Sequence, residues 1–214
     1  MKKNLLILAA LVLLHSGYGA GTAAVAPGKP AATVKDTESG RNAAEKAVKE
    51  SIVSHRRAVL TIDLEKMLEF CTGDYQEPAG NGTFRSRGEI ERTAKYLAVV
   101  RNSKDLEEVM ENALLLQNQS LSDARRLQIR KDKESKEAWK SVTMLRSYLL
   151  ELQKKGEISG KGLEVVNCRI SGDKASAEVI LRDPADAKSY TVKYFLRRER
   201  GRWLVYKIDP AVVK

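Results

Sequence analysis

Gly162 to Asp183, GLEVVNCRISGDKASAEVILRD, and Tyr190 to Asp209, YTVKYFLRRERGRWLVYKID, decide the fold. In these segments apolar residues recur with a period of two. Val166, Cys168 and Ile170 alternate with polar residues, Gly172-Asp173 turns the chain, and Ala175 to Leu181 alternates again. After a longer loop at Asp183 to Ala187, Tyr190, Val192, Tyr194 and Leu196 share one strand face. Arg200-Gly201 then signals a tight hairpin into a last strand, Arg202 to Asp209. Consecutive strands joined in this way form an antiparallel meander. Its apolar face must be covered, and the helices encoded upstream are the available cover. The expectation is an α+β domain with helices packed on one face of a curved antiparallel sheet.

Upstream of Gly162 the period is 3.6. Val48, Ile52, His55 and Val59 form one stripe of a first helix that starts near Ala43. Asp63 reads as the N-cap of a short second helix carrying Leu64, Met67, Leu68 and Cys71, stopped by Gly73. Asp74-Tyr75 leads out, and Pro78 to Gly82 reads as a loop. Ser86, with Glu89 three residues on, has the spacing of a capping box ahead of Ile90, Leu97 and Val100. Ser103 or Asp105 opens the next stripe, Leu106, Val109, Met110, Ala113 and Leu114. Ser120 to Lys136 is polar and reads as an exposed helix or linker. Trp139, Val142, Leu145, Leu149 and Leu152 make a further stripe, with Gly156 read as its end. The stretch of about 86–155 is thus a helical insert, expected to fold with the sheet as one domain over 43–214 because a one-sided helix needs a packing surface.

The N-terminus carries Lys2 and Lys3, an uncharged run from Leu5 to Leu14, and then small residues, Ser16-Gly17-Tyr18-Gly19-Ala20. This is the pattern of a cleavable signal peptide at 1–20, and the run is too short to span a bilayer. The expectation is an exported protein, periplasmic or secreted, that does not span the membrane after cleavage. From 21 to 42 the chain is rich in Ala, Gly, Pro, Thr and Lys, with Pro27 and Pro30, and reads as a flexible tether.

The chain of 214 residues has a formal net charge of +10. Basic clusters lie at Arg125, Arg126, Arg130, Lys131 and Lys133 and at Arg197, Arg198, Arg200 and Arg202. Asp132, Glu134 and Glu199 interleave with them, so they read as solvated surface rather than a nucleic-acid footprint. Cys71 and Cys168 are the only cysteines. In an oxidising compartment they could pair as a disulfide or pack as buried thiols. Without a C-x-x-C there is no sign of a thioredoxin-like site or a zinc knuckle. The sequence also lacks a phosphate loop, H-E-x-x-H, G-x-S-x-G and an EF-hand loop, so no cofactor or metal is expected.

The order of LTIDLEKMLEFCTGDY (60–75), then helices, then the two strand segments resembles the nuclear transport factor 2-like superfamily. Asp63 with Asp74-Tyr75 matches the family's break between its first helices. Ser171-Gly172-Asp173-Lys174-Ala175 matches its G-D-x-A hairpin, and Arg200-Gly201-Arg202-Trp203 its closing hairpin. The insert departs from the pattern. The resemblance implies a cone, in which helices close one side of a bent sheet whose hollow often holds a ligand. In enzymatic members, the ketosteroid isomerases and polyketide cyclases, an inward carboxylate or histidine moves a proton beside tyrosines or acids.

His55 lies on the apolar stripe of the first helix and is the one candidate for such a role; its other reading is a hydrogen-bonded core histidine. Tyr190, Tyr194, Trp203 and Tyr206 are candidates to line a pocket, or to pack across strands. The leading expectation is a non-catalytic exported domain that binds a small molecule or a partner protein through the cone or the added helices. The alternatives are an isomerase- or cyclase-like enzyme using His55 and a self-associating envelope protein, a homo-oligomer.

Overall fold

The computed structural model describes residues 38–79, 83–130, 132–182, 189–209 and 212–213. The expected signal peptide, most of the expected tether and the loop at 183–187 lie outside the described residues.

Helix α1 (Glu38–Leu60) begins five residues before Ala43, so the end of the expected tether is helical. The last proline before the helix is Pro30, and Glu38 places an acid at the positive end of the helix dipole. Val48, Ser51, Ile52, His55 and Ala58 are its buried side. The helix ends with the Ile62 N–H donating to Val59 O and the Asp63 N–H to Ala58 O. That pair of bonds is a Schellman motif, in which glycine usually takes the left-handed position. Here the residue is Ile62, at φ 56°. A non-glycine residue there costs roughly 1–2 kcal/mol. The cost is offset by burial of the Ile62 side chain and by Arg101, whose guanidinium donates to the Ile62 carbonyl at 2.9 Å.

Asp63 caps α2 (Leu64–Leu68), accepting from the Lys66 N–H. The chain then enters a strand sooner than its apolar spacing implies. Cys71 is the first residue of β1 (Cys71–Pro78), not the last of a helical stripe, and Gly73 sits within that strand. Arg87 explains the early exit. Its Nη1 donates to the carbonyls of Leu68, Cys71 and Thr72, taking helix-end acceptors that a further turn would have used. β1 pairs with the short β2 (Phe84–Ser86). Ser86 closes a capping box with Glu89 at the start of α3 (Arg87–Asn102), and Asp105 caps α4 (Leu106–Leu115).

The polar stretch beyond α4 holds a short helix, α5 (Asp123–Ile129), before α6 (Asp132–Ser159). It is less exposed than its composition suggests. Leu121 and Ile129 are buried, and Arg126 and Arg130 pair with Glu107 and Glu111 of α4. A 3-10 turn at Gly160–Gly162 leads to the meander β3 (Glu164–Ser171), β4 (Lys174–Arg182), β5 (Ser189–Glu199) and β6 (Arg202–Ile208). A two-residue strand, β7 (Val212–Val213), pairs with β5.

The strand order is β2-β1-β6-β5-β4-β3, antiparallel throughout except for the parallel pair β1–β6. Helices cover one face of this sheet, the α+β arrangement that the resemblance implied. A bulge at Asn167, at φ 53°, shifts the register between Val166 and Arg169. Val165, Cys168 and Ile170 therefore turn to the core and Val166 does not.

Two apolar clusters form. One joins α1, α2 and the sheet through Ile52, Met67, Tyr75, Val179, Leu196 and Val205. The other joins α3 to α6 through Leu97, Val109, Leu145 and Leu149. Leu64 packs against both. Ser51 fastens α1 to the sheet, its hydroxyl donating to the Trp203 carbonyl at 2.7 Å.

Candidate functional site

The helical stripe that carries Val48 and Ile52 carries His55 into the hollow of the sheet, where its exposure is 0%. On β1, side chains alternate, and Tyr75 points inward opposite the exposed Asp74 and Gln76. On β5 the alternation of Val192, Tyr194 and Leu196 brings Tyr194 to the same place. The His55 ring then meets two tyrosines edge to face, at 5.7 Å from Tyr75 and 5.5 Å from Tyr194 between centroids. His55 Nδ1 and Nε2 have no hydrogen-bond partner among the described residues.

Burial, reinforced by the neighbouring Arg56 charge, lowers the His55 pKa to about 3, so the imidazole is neutral at physiological pH. Burial also holds the tyrosines protonated. Tyr194 is pushed up to about 12, with Arg56 opposing the shift, and Tyr75 is raised well above the ordinary phenol value by burial and the nearby Glu77. The Tyr75 hydroxyl donates to Glu77 Oε2 at 3.1 Å, and Glu77 pairs with Arg85 of β2. The group is thus a neutral imidazole between two neutral phenols, flanked by Glu77, Arg56 and Arg85. It can donate and accept hydrogen bonds. A base with a pKa near 3 is poorly matched to proton abstraction at neutral pH.

Of the residues proposed from sequence, His55 and Tyr194 meet. Tyr190 is half-buried at the start of β5, on the core face. Trp203 is buried in the sheet cluster as a packing residue. Tyr206 is on the other face of the sheet, because it alternates along β6 with the buried Trp203 and Val205. There its ring lies 6.2 Å from Phe195, with the Arg197 guanidinium over it at 5.8 Å. Cys71 and Cys168 are both free thiols. They belong to strands at well-separated places in the sheet order, and Cys71 Sγ donates instead to the Met67 carbonyl at 3.3 Å. Tyr75, Glu77 and Arg85 were not anticipated. The inward turn of Tyr75 follows only once Cys71 to Pro78 is read as a strand.

Three hollows among the described residues lie on the surface. One of about 570 Å³ follows the outer side of α1 at Lys46, Lys49 and Val53. One of about 520 Å³ lies between α3 and the end of α4, at Arg92, Lys95 and Leu115. One of about 240 Å³ sits on the outer sheet face at Arg169, Glu178 and Lys193. Among the described residues no cluster of three or more His, Cys, Asp or Glu side chains is arranged to hold a metal ion, and no helix is long and apolar enough to cross a membrane.

No known protein family matches the chain, and no curated protein does. Among solved structures it is similar to a nuclear transport factor 2-like protein of unknown function from Shewanella baltica. The identity is 9% over 84% of this chain and 98% of that one, with a TM-score of 0.38. It is also similar to a protein of unknown function with a cystatin-like fold from Nostoc punctiforme, at 14% identity over 78% and 91% of the two chains, with a TM-score of 0.36.

Proposed function

We propose that the protein is an exported, non-catalytic binding module that takes a small molecule into the cone beside His55. The observation that carries this reading is the fully buried imidazole between Tyr75 and Tyr194, both of whose ring nitrogens lack a hydrogen-bond partner among the described residues. Buried polar atoms nearly always have a partner, and an exception calls for one. The depressed His55 pKa favours recognition over proton transfer and sets the isomerase-like alternative second. Native mass spectrometry of protein from its own host tests the reading. A retained small molecule, lost in His55→Ala, is the expected result. Bare protein for both, with no species captured from a host extract, would overturn it.

Export rests on Lys2, Lys3, the run Leu5 to Leu14 and the small residues after it. Protein recovered outside the cytoplasm should begin between Ala20 and Val25, and N-terminal sequencing that returned Met1 would contradict this. A self-associating role through the added helices is favoured by Met144, Leu150 and Ile158 of α6, at 56%, 58% and 62% exposed. The same spectra would show a dimer or larger assembly, weakened by Met144→Asp.

A further inference from the structure

The polar groups of the cone run in one direction. His55, Tyr194 and Tyr75 are sealed at 0%, 0% and 1% exposure. Outward from Tyr75 come its hydroxyl, the Glu77 carboxylate that accepts from it, and the Arg85 guanidinium paired with Glu77. The Glu77 and Arg85 side chains are 14% and 21% exposed. This chain of contacts connects the buried imidazole to the surface.

It ends on a short strand at the edge of the sheet. β2 is three residues long and, among the described residues, pairs with β1 alone, at the sheet edge. Glu77 and Arg85 stand directly opposite each other in that pairing. The docking of β2 and the position of the Tyr75 ring are therefore linked through one carboxylate. Elements at an edge, with few ladder bonds, are the first to open locally. A partly exposed ion pair adds only modest stability to hold them.

We propose that the Tyr75–Glu77–Arg85 chain is the closure of the cone, and that release of Glu77 swings the Tyr75 ring aside and opens the path to His55. This rests on reading the cone as a binding site and assigns the control of access to it. Tyr75 acts as the shutter and Glu77 as its catch. Arg85 holds the catch to the edge strand.

Access to His55 can be read without a ligand. Diethylpyrocarbonate acylates exposed imidazoles, and peptide mapping assigns the modification to His55. In the unaltered protein His55 should react far more slowly than free N-acetylhistidine under the same conditions. Glu77→Gln should raise the His55 rate by about tenfold or more, a tenfold step corresponding to about 1.4 kcal/mol in the opening equilibrium. Arg85→Gln should do the same, and serves if Glu77→Gln fails to fold. Leu149→Ala, which destabilises the helical layer, is the control for general loosening. Equal protection of His55 in the unaltered protein and both latch variants would overturn the proposal. So would a His55 rate that rises as much in Leu149→Ala at matched stability. Since no ligand enters the measurement, its failure leaves the binding reading standing, and bare native spectra would leave the closure standing.

Discussion

Gly156 of α6 packs directly against the main chain of Leu60 at the end of α1: a Cβ at position 156 would stand 1.8 Å from the Leu60 carbonyl oxygen and 2.4 Å from its carbon. Backbone cannot yield as a flexible side chain can. In an exposed helix Gly→Ala would stabilise by up to about 1 kcal/mol. Here the steric term is larger, and Gly156→Ala should destabilise by about 1–3 kcal/mol, the usual cost of overpacking. The check is the urea midpoint, and an unchanged or raised midpoint would mean that the two helices do not approach this closely.

The same residue shows how far the sequence could be read. Gly156 near the end of an apolar stripe looks like a helix stop, yet α6 runs on to Ser159 and the glycine serves a helix crossing. A stop and a crossing use the same residue, and only the partner helix distinguishes them. Local signals were legible where the chemistry is local: Asp63, Ser86 and Asp105 cap the helices expected of them, and the hairpins at Gly172 and Gly201 both have positive φ. The α+β layering was legible too, because the period changes from 3.6 to 2 at Gly162. What stayed hidden depends on distant groups. β1 is a strand because Arg87 and β6 take its backbone acceptors and donors, and the turn of Val165 rather than Val166 to the core depends on the bulge at Asn167. His55 was visible as an inward residue. Its tyrosine neighbours became evident only with the strand register.

Acid should weaken the fold through His55. Its folded pKa of about 3 lies below the ordinary value of 6.5, so between those values the unfolded chain holds a proton that the native state does not. The contribution is fully present above about pH 6.5 and is lost as pH falls toward 3, at up to about 1.4 kcal/mol per pH unit. Urea unfolding at pH 7.5, 6 and 5 should show the decline above the range where carboxylates titrate. His55→Gln should flatten it there, and an identical slope in that variant would assign the acid sensitivity to other groups.

Arg146 stitches α6 to the end of α3. Its Nε donates to Val100 O and its Nη2 to Ser103 O, both at 2.6 Å, while the guanidinium lies 5.4 Å from the Trp139 ring centroid. Arg146→Ala leaves those helix-end carbonyls without their donor and should cost about 2–3 kcal/mol. Arg146→Lys should recover little of this, because a single ammonium cannot reproduce the planar two-point contact. A lysine variant with the unaltered protein's melting temperature would show that charge alone suffices.

Leu145 decides whether the helical layer and the sheet unfold as one. It is buried in the cluster of α3 to α6, apart from the sheet cluster. Yet the layers are joined at Leu64, which packs on both, at Gly156 against Leu60, and at Arg101 donating to the Ile62 carbonyl. α6 rests on α1, and α1 is the helix that covers the sheet and carries His55. A helix with a one-sided apolar face has little stability without such a surface. Leu145→Asp places an unpaired charge in that core and should destabilise by several kcal/mol, roughly 3–5. If the layers are cooperative, one transition should shift as a whole, whether followed by far-ultraviolet circular dichroism or by fluorescence of Trp203 in a Trp139→Phe background. Two separated transitions, with the Trp203 signal melting where it did before, would make the helical layer an independent unit and refute the expectation of a single domain over 43–214.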